Sequence, residues 1–139
     1  MVERQTRFEV ILKLNGKDAH SVDQAIHLMR ERARENFSRL FKTVISDNGS
    51  EFAGLHESLQ DVTDVYFSHP YTSWERGTSE NQHKLIRRFL PKGEPLSGVS
   101  EAQCLRIQQW MNDYPRRILG YQTPHDCFLR SFQQDRRAA

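Results

Sequence analysis

The sequence predicts an α/β domain, and three observations predict it. Short runs rich in β-branched and aromatic residues occur at 7–14 (RFEVILKL), 43–46 (TVIS) and 62–67 (VTDVYF). Between and after them lie stretches whose apolar residues recur every three or four positions, the period of a half-buried helix. The length, 139 residues, suits one domain around one core. Strands alternating with helices build a sheet with helices against it, and the ends of such strands present a site.

In chain order, 7–14 reads as the first strand, and Asn15-Gly16-Lys17 as a turn. Ser21 with Gln24 has the spacing of a capping box and opens a helix. Val22, Ile26, Met29, Ala33 and Phe37 form its buried stripe. Residues 43–46 are the second strand, 52–60 a short helix and 62–67 a third strand neighbouring the second. Residues 69–77 form a loop, expected to be mobile. Ser79 with Gln82 marks a helix start, and that helix stops before Pro91. A linker, Lys92-Gly93-Glu94-Pro95, precedes another capping box, Ser100 with Gln103. The helix it opens has Leu105, Ile107, Trp110 and Met111 as apolar positions. Residues 112–122 are basic and turn-rich. Thr123-Pro124 starts a last short helix, with proline in the first turn where its missing N–H costs nothing, and the tail after Gln133 is expected to fray.

Composition narrows the function classes. With 37% hydrophobic and 27% charged residues the chain is globular rather than low-complexity, and the net charge of +2 favours no partner. Distribution says more. Between residues 81 and 93 there are Lys84, Arg87, Arg88 and Lys92 and no acid; Arg116-Arg117 and Arg136-Arg137 follow. Solvated helix faces and phosphate contacts both fit such clusters. Cys104 and Cys127 lie far apart without metal-ligand spacing, and read as half-buried thiols of a reducing cytosol. No apolar run is long enough to span a membrane, and no signal peptide is recognisable.

Two acids stand out. Asp47 ends the second strand and is followed by Asn48-Gly49; Glu80 falls in the first turn of a later helix. Asp-Asn-Gly is turn chemistry and Glu complements a helix dipole, so each has a structural reading. Converging, they would make an oxygen-donor site for Mg²⁺ or Mn²⁺, metals that drive phosphoryl transfer on nucleic acids. Glu80, Lys84, Arg87 and Arg88 fall at i, i+4, i+7 and i+8, one helical face along which a phosphate backbone could lie.

Longer motifs surround these residues: Ser46-Asp47-Asn48-Gly49-Ser50-Glu51-Phe52, the run from His69 and Pro70 through Trp74, Gly77 and Glu80 to Asn81, and Arg87-Arg88-Phe89-Leu90-Pro91. Val2-Glu3-Arg4 with Thr6-Arg7-Phe8 precedes them; Asn112, Pro115-Arg116, Leu119-Gly120-Tyr121 and Thr123-Pro124 follow. Together they resemble the DDE transposase and retroviral-type integrase superfamily, nearest to the insertion-sequence-thirty family of bacterial transposases, over about residues 2–128.

The resemblance implies an RNase H-like fold, a mixed sheet flanked by helices. Residues 1–93 would be a partial catalytic core and 94–139 a helical extension of the same domain. It implies metals held by three acids, with Asp47 matching the second and Glu80 the third. It implies that Lys84 and Arg87 grip DNA near the cut end. Arg88 and Arg116 are further basic side chains suited to phosphate contacts, and Trp74 and Tyr71 either stack on unpaired bases or pack their loop onto the core. The chemistry implied is strand cleavage by water and then attack of a 3′-hydroxyl on target DNA, in a bacterial cytoplasm. The implied partners are insertion-element ends, target DNA, and a second copy or a full-length transposase. The family's first acid and its strand lie upstream of the segment matching Val2-Glu3-Arg4, so the sheet is expected to lack its first strand and the chain to be inactive alone. Glu3 matches a position beyond that acid and is not expected to replace it. A non-catalytic DNA-binding or oligomerisation module, and a nuclease of the same fold without strand transfer, are the alternative readings.

Overall fold

The computed structural model describes residues 1–68 and 77–138, the side chains of 77–80 and 136 excepted; the loop containing Trp74 therefore lies outside the described residues. The architecture is mixed α/β, in two compact units: Leu14–Ser73, and Met1–Lys13 with Trp74–Ala139.

In the first unit, helix α1 (Ala19–Ala33) is capped by Asp18, whose carboxylate accepts from Ser21 N at 2.9 Å and Ser21 Oγ at 3.0 Å. The expected cap was Ser21 with Gln24. The helix starts earlier because the Asp18 carboxylate, three residues before Ser21, satisfies its free N–H and also complements the dipole. Gln24 pairs instead with the His20 ring. The predicted stripe is buried at Val22, Ile26, Met29 and Phe37. The helix breaks at Arg34, which takes a positive φ of 49°, and resumes as α2 (Phe37–Leu40). Strand β1 (Thr43–Ser46) pairs with β2 (Asp64–Phe67), neighbours as the sequence predicts, though β2 starts two residues later than expected; the pair is parallel, Thr43 opposite Asp64 and Ser46 opposite Phe67. Parallel partners need a crossover; here it is a 3₁₀ turn (Ser50–Phe52) and α3 (Leu55–Leu59), whose Leu55 and Leu59 are buried. Arg30 of α1 clamps the crossover, donating to Ser58 O and, at 2.7 Å, to Asp61. One face of the sheet stays open. Thr43, Ile45, Asp64 and Tyr66 are all exposed, whereas parallel sheets are ordinarily covered on both sides.

In the second unit the predicted strand at 7–14 does not form. Among the described residues its only ladder contact is an antiparallel bridge between Val2 and Glu9. Side chains of α5 (Glu101–Asp113) occupy the backbone groups that a strand partner would use. Asn112 accepts from Glu9 N at 2.8 Å and donates to Glu9 O at 2.9 Å, and Gln108 accepts from Ile11 N at 2.8 Å. Buried backbone groups need partners, and amide side chains four residues apart on one helix face supply them. Gln82 of α4 (Gly77–Ile86) is buried and donates to Arg7 O, and Phe8 stacks on Phe128 of α6 (Pro124–Ala138) with centroids 4.3 Å apart.

Helix α5 begins on the predicted capping box, with Ser100 Oγ accepting from Gln103 N and Gln103 Oε1 accepting from Ser100 N. Its buried stripe is Cys104, Ile107, Met111 and Asn112; Leu105, predicted inside, is 58% exposed. The apolar count around Leu105 misplaced the stripe because Gln108 and Asn112 are polar residues on the inner face. Helix α6 continues to Ala138 rather than fraying after Gln133, since Gln, Arg and Ala are good helix formers and arginines suit a helix C-terminus.

Candidate nucleic-acid and metal site

Asp47 directly follows β1, at the carboxyl ends of the parallel strands, where α/β sheets place ligands. The residue is half-buried, and its Oδ1 accepts from Gly49 N at 3.2 Å, a short side-chain turn. Asn48 ties this loop to the end of the neighbouring strand by donating to Ser68 O at 2.8 Å. The turn is thus fixed to both strands, and Asp47 is held rather than free to sample solvent. The Glu51 carboxyl group folds back over Gly49, within 2.6–2.9 Å of where a Cβ would stand, so a larger residue there would displace that flexible side chain. Sequence reasoning passed over Glu51, whose approach to the Asp47 turn depends on the 3₁₀ geometry of Ser50–Phe52.

Glu80 lies in α4 in the other unit, and its side chain is outside the described residues. Asp47 supplies the hard oxygen donor that Mg²⁺ or Mn²⁺ prefers. Among the described residues no three of His, Cys, Asp and Glu gather into a metal cluster. The fit to a divalent ion rests on the donor chemistry of Asp47.

Lys84, Arg87 and Arg88 are exposed. Helix α4 ends at Ile86. Arg87 N still reaches His83 O, while Arg88 N turns to Leu85 O and Phe89 N to Ile86 O, so the chain tightens through the two arginines. Phe89 then meets Trp110 edge-on at 4.9 Å, and Trp110 stacks on Tyr114 at 4.9 Å.

Arg116 differs from the other three cations. It is half-buried, donates from Nη2 to Met111 O at 2.9 Å, and lies 5.4 Å from the Tyr114 ring centroid. Burial holds its pKa below the ordinary arginine value; Glu9 and Tyr114 act against this, and Arg88 adds to it. Glu9 beneath it is 4% exposed, with Oε2 lacking a hydrogen-bond partner. Burial pushes the Glu9 carboxyl up, against the pull of the Met1 ammonium and of Arg116. Arg117, next in sequence, is exposed.

Glu3 is committed to local structure. Its carboxylate accepts from Gln5 N at 2.9 Å and from Thr6 N and Thr6 Oγ1, both at 2.6 Å. Burial would raise its pKa, but these bonds prevail and hold it below the ordinary range. A groove between α1 and α3, of about 310 Å³, is lined by Asp23, His27, Glu57 and Asp61 and crossed by Arg30; none of the residues predicted for function lines it. No described helix is long and apolar enough to cross a membrane.

No protein-family model matches the chain. Curated relatives do. The chain is 38% identical, over 96% of its length, to the transposase for insertion sequence element IS4351 of Bacteroides fragilis. It is 40% identical, over 92% of its length, to a probable transposase for insertion-like sequence element IS1161 of Streptococcus salivarius. It is 34% identical, over 94% of its length, to transposase InsI for element IS30C of Escherichia coli K12. The chain spans 40%, 35% and 33% of the lengths of these three relatives, respectively.

Proposed function

Because the chain belongs, over nearly its whole length, to the IS30-family transposases, we propose that it is part of an RNase H-like catalytic core that cleaves and joins DNA strands in transposition. The observation that carries this reading is the placement of Asp47, half-buried at the carboxyl end of a parallel strand pair and pinned by Asn48 to Ser68. In this reading 1–93 form the core and 94–139 its helical extension, acting in the bacterial cytoplasm on element ends and target DNA, with a second copy or a longer transposase as protein partner.

Asp47 and Glu80 would hold Mg²⁺ or Mn²⁺, which when bound activates the attacking oxygen and stabilises the leaving one. The chain's own residues do the rest. Lys84, Arg87 and Arg88, exposed on flexible stems, neutralise backbone phosphates. Arg116 adds charge from a fixed position, anchored on Met111 O. Trp74 stacks on an unpaired base near the cut end. Glu3 takes no part, because its carboxylate already accepts three hydrogen bonds in its own turn.

Residues 1–139 contain matches to two of the family's three acids, and two carboxylates make a weak cage for an ion that gives up water reluctantly. Weak Mn²⁺ binding is expected, abolished in Asp47→Ala and in Glu80→Ala; unchanged affinity in both variants would place the metal elsewhere. These residues alone are expected not to join DNA ends. Robust Mn²⁺-dependent joining that disappears in Glu3→Gln would make Glu3 the third ligand and refute the assignment.

A further inference from the structure

Among the described residues, the most exposed large apolar side chains sit on one small loop. Ile118 is 70% exposed and Tyr121 71% exposed, both on the connection between α5 and α6. The loop is tightly closed. Arg116 N donates to Gln122 O at 3.0 Å, Leu119 N and Tyr121 N both donate to Arg116 O, and Gly120 N donates to Arg117 O. Gly120 and Tyr121 take left-handed conformations, each with φ of 63°. Glycine does so freely; a tyrosine does so only where the surrounding structure over-determines it, and such strain gathers at functional positions.

The foot of the loop is built from cations. Arg116 is anchored on Met111 O, and Arg130 of α6 donates to Gln122 Oε1 and, at 3.3 Å, to Asp126 O. Arg117 projects from the loop itself and is exposed. From residue 114 to 122 there is no acid. A rigid turn carrying two bulky apolar side chains, ringed by arginines, matches the chemistry of a stacked base step between two phosphate strands. Stable protein interfaces take about 800 Å² from each partner, far more than two side chains on a narrow turn present.

We propose that the 116–122 loop is a wedge for duplex DNA, in which Ile118 and Tyr121 enter and unstack one base step while Arg117 and the anchored arginines hold the flanking phosphates. The proposal rests on the DNA-acting reading above, and it adds a deformation that neither the acids nor the basic turn after α4 would produce.

The test uses the whole chain and short duplexes carrying 2-aminopurine at a pyrimidine–purine step, the kind most readily unstacked. Anisotropy reads binding, and 2-aminopurine emission reads unstacking. Wild-type protein at saturation should raise emission several-fold. Ile118→Ala and Tyr121→Asn should abolish most of the rise while leaving the salt slope of binding unchanged, since neither residue is charged. Asparagine tolerates the left-handed φ, so the second variant keeps the loop closed. Matching circular dichroism would show that both variants fold. Binding with no rise in emission, or an undiminished rise in both variants, overturns the wedge and leaves the DNA reading standing. A shift of sedimentation in the variants without DNA would show the loop to be a contact between copies, and also overturns it. No binding of any duplex by the wild type overturns the wedge together with the DNA reading.

Discussion

Replacing Asn112 with alanine should unlatch the N-terminal segment from α5. Asn112 is 4% exposed, and its amide serves both backbone groups of Glu9, accepting from N at 2.8 Å and donating to O at 2.9 Å. The variant loses two hydrogen bonds and leaves a buried N–H and a buried C=O without partners. Stranding a buried group costs about 1–3 kcal/mol, so the loss for the two should total about 2–6 kcal/mol. Against a typical domain stability of about 5–15 kcal/mol this is a large share. The melting temperature should fall by roughly 10 °C or more. Trp110 belongs to the affected unit, so its emission during urea unfolding reports on it. Gln108→Ala is the graded control: it strands only Ile11 N, which is less buried, and should cost about 1 kcal/mol. Asn112→Asp keeps the acceptor but loses the donor and places a charge close to buried Glu9, so at neutral pH it should be at least as damaging as alanine. A cost below about 1 kcal/mol for Asn112→Ala would refute the view that this amide stands in for a strand partner.

Three further outcomes are expected. Ser100→Ala removes one half of an intact capping box and should lower stability by about 1 kcal/mol, with some loss of helical dichroism. Glu9 and Glu3 should act on pH stability with opposite sign. Folded Glu9 keeps its proton above the ordinary value of 4.5, so its contribution weakens as pH rises from there through the folded value, and Glu9→Gln should gain on wild type across that window. Folded Glu3 ionises below 4.5, so its contribution is present above that value and is lost as pH falls through the folded value; the deficit of Glu3→Gln should shrink in acid. Thermal melts at stepped pH read both, and parallel profiles for the two variants would contradict the assignment. Finally, Lys84→Ala with Arg87→Ala should weaken duplex binding and flatten its salt slope by about one to two units; an unaltered slope would move DNA to another surface.

Local chemistry made several elements legible. Thr43–Ser46 is a strand because its β-formers are bounded by a turn, and α5 starts at Ser100 because a capping box is satisfied within four residues. Asp47 was readable for the same reason, as an acid at the edge of a strand before Asn48-Gly49. The family motifs pointed to the transposases, since they are long and ordered. The sequence by itself therefore determined the two neighbouring strands, the main helices and the acids to suspect.

Tertiary structure decided what depends on partners distant in sequence. Residues 7–14 have strand composition but no strand, because amides at Gln108 and Asn112 claim their backbone groups. Leu105 faces outward because those same polar residues belong to the inner face of α5. Arg116 reads as a twin of Arg117, yet one is anchored on Met111 O and the other is exposed. Composition records what a side chain is able to do. Which backbone group, ring or carbonyl it meets is set by chain segments that only folding brings alongside it.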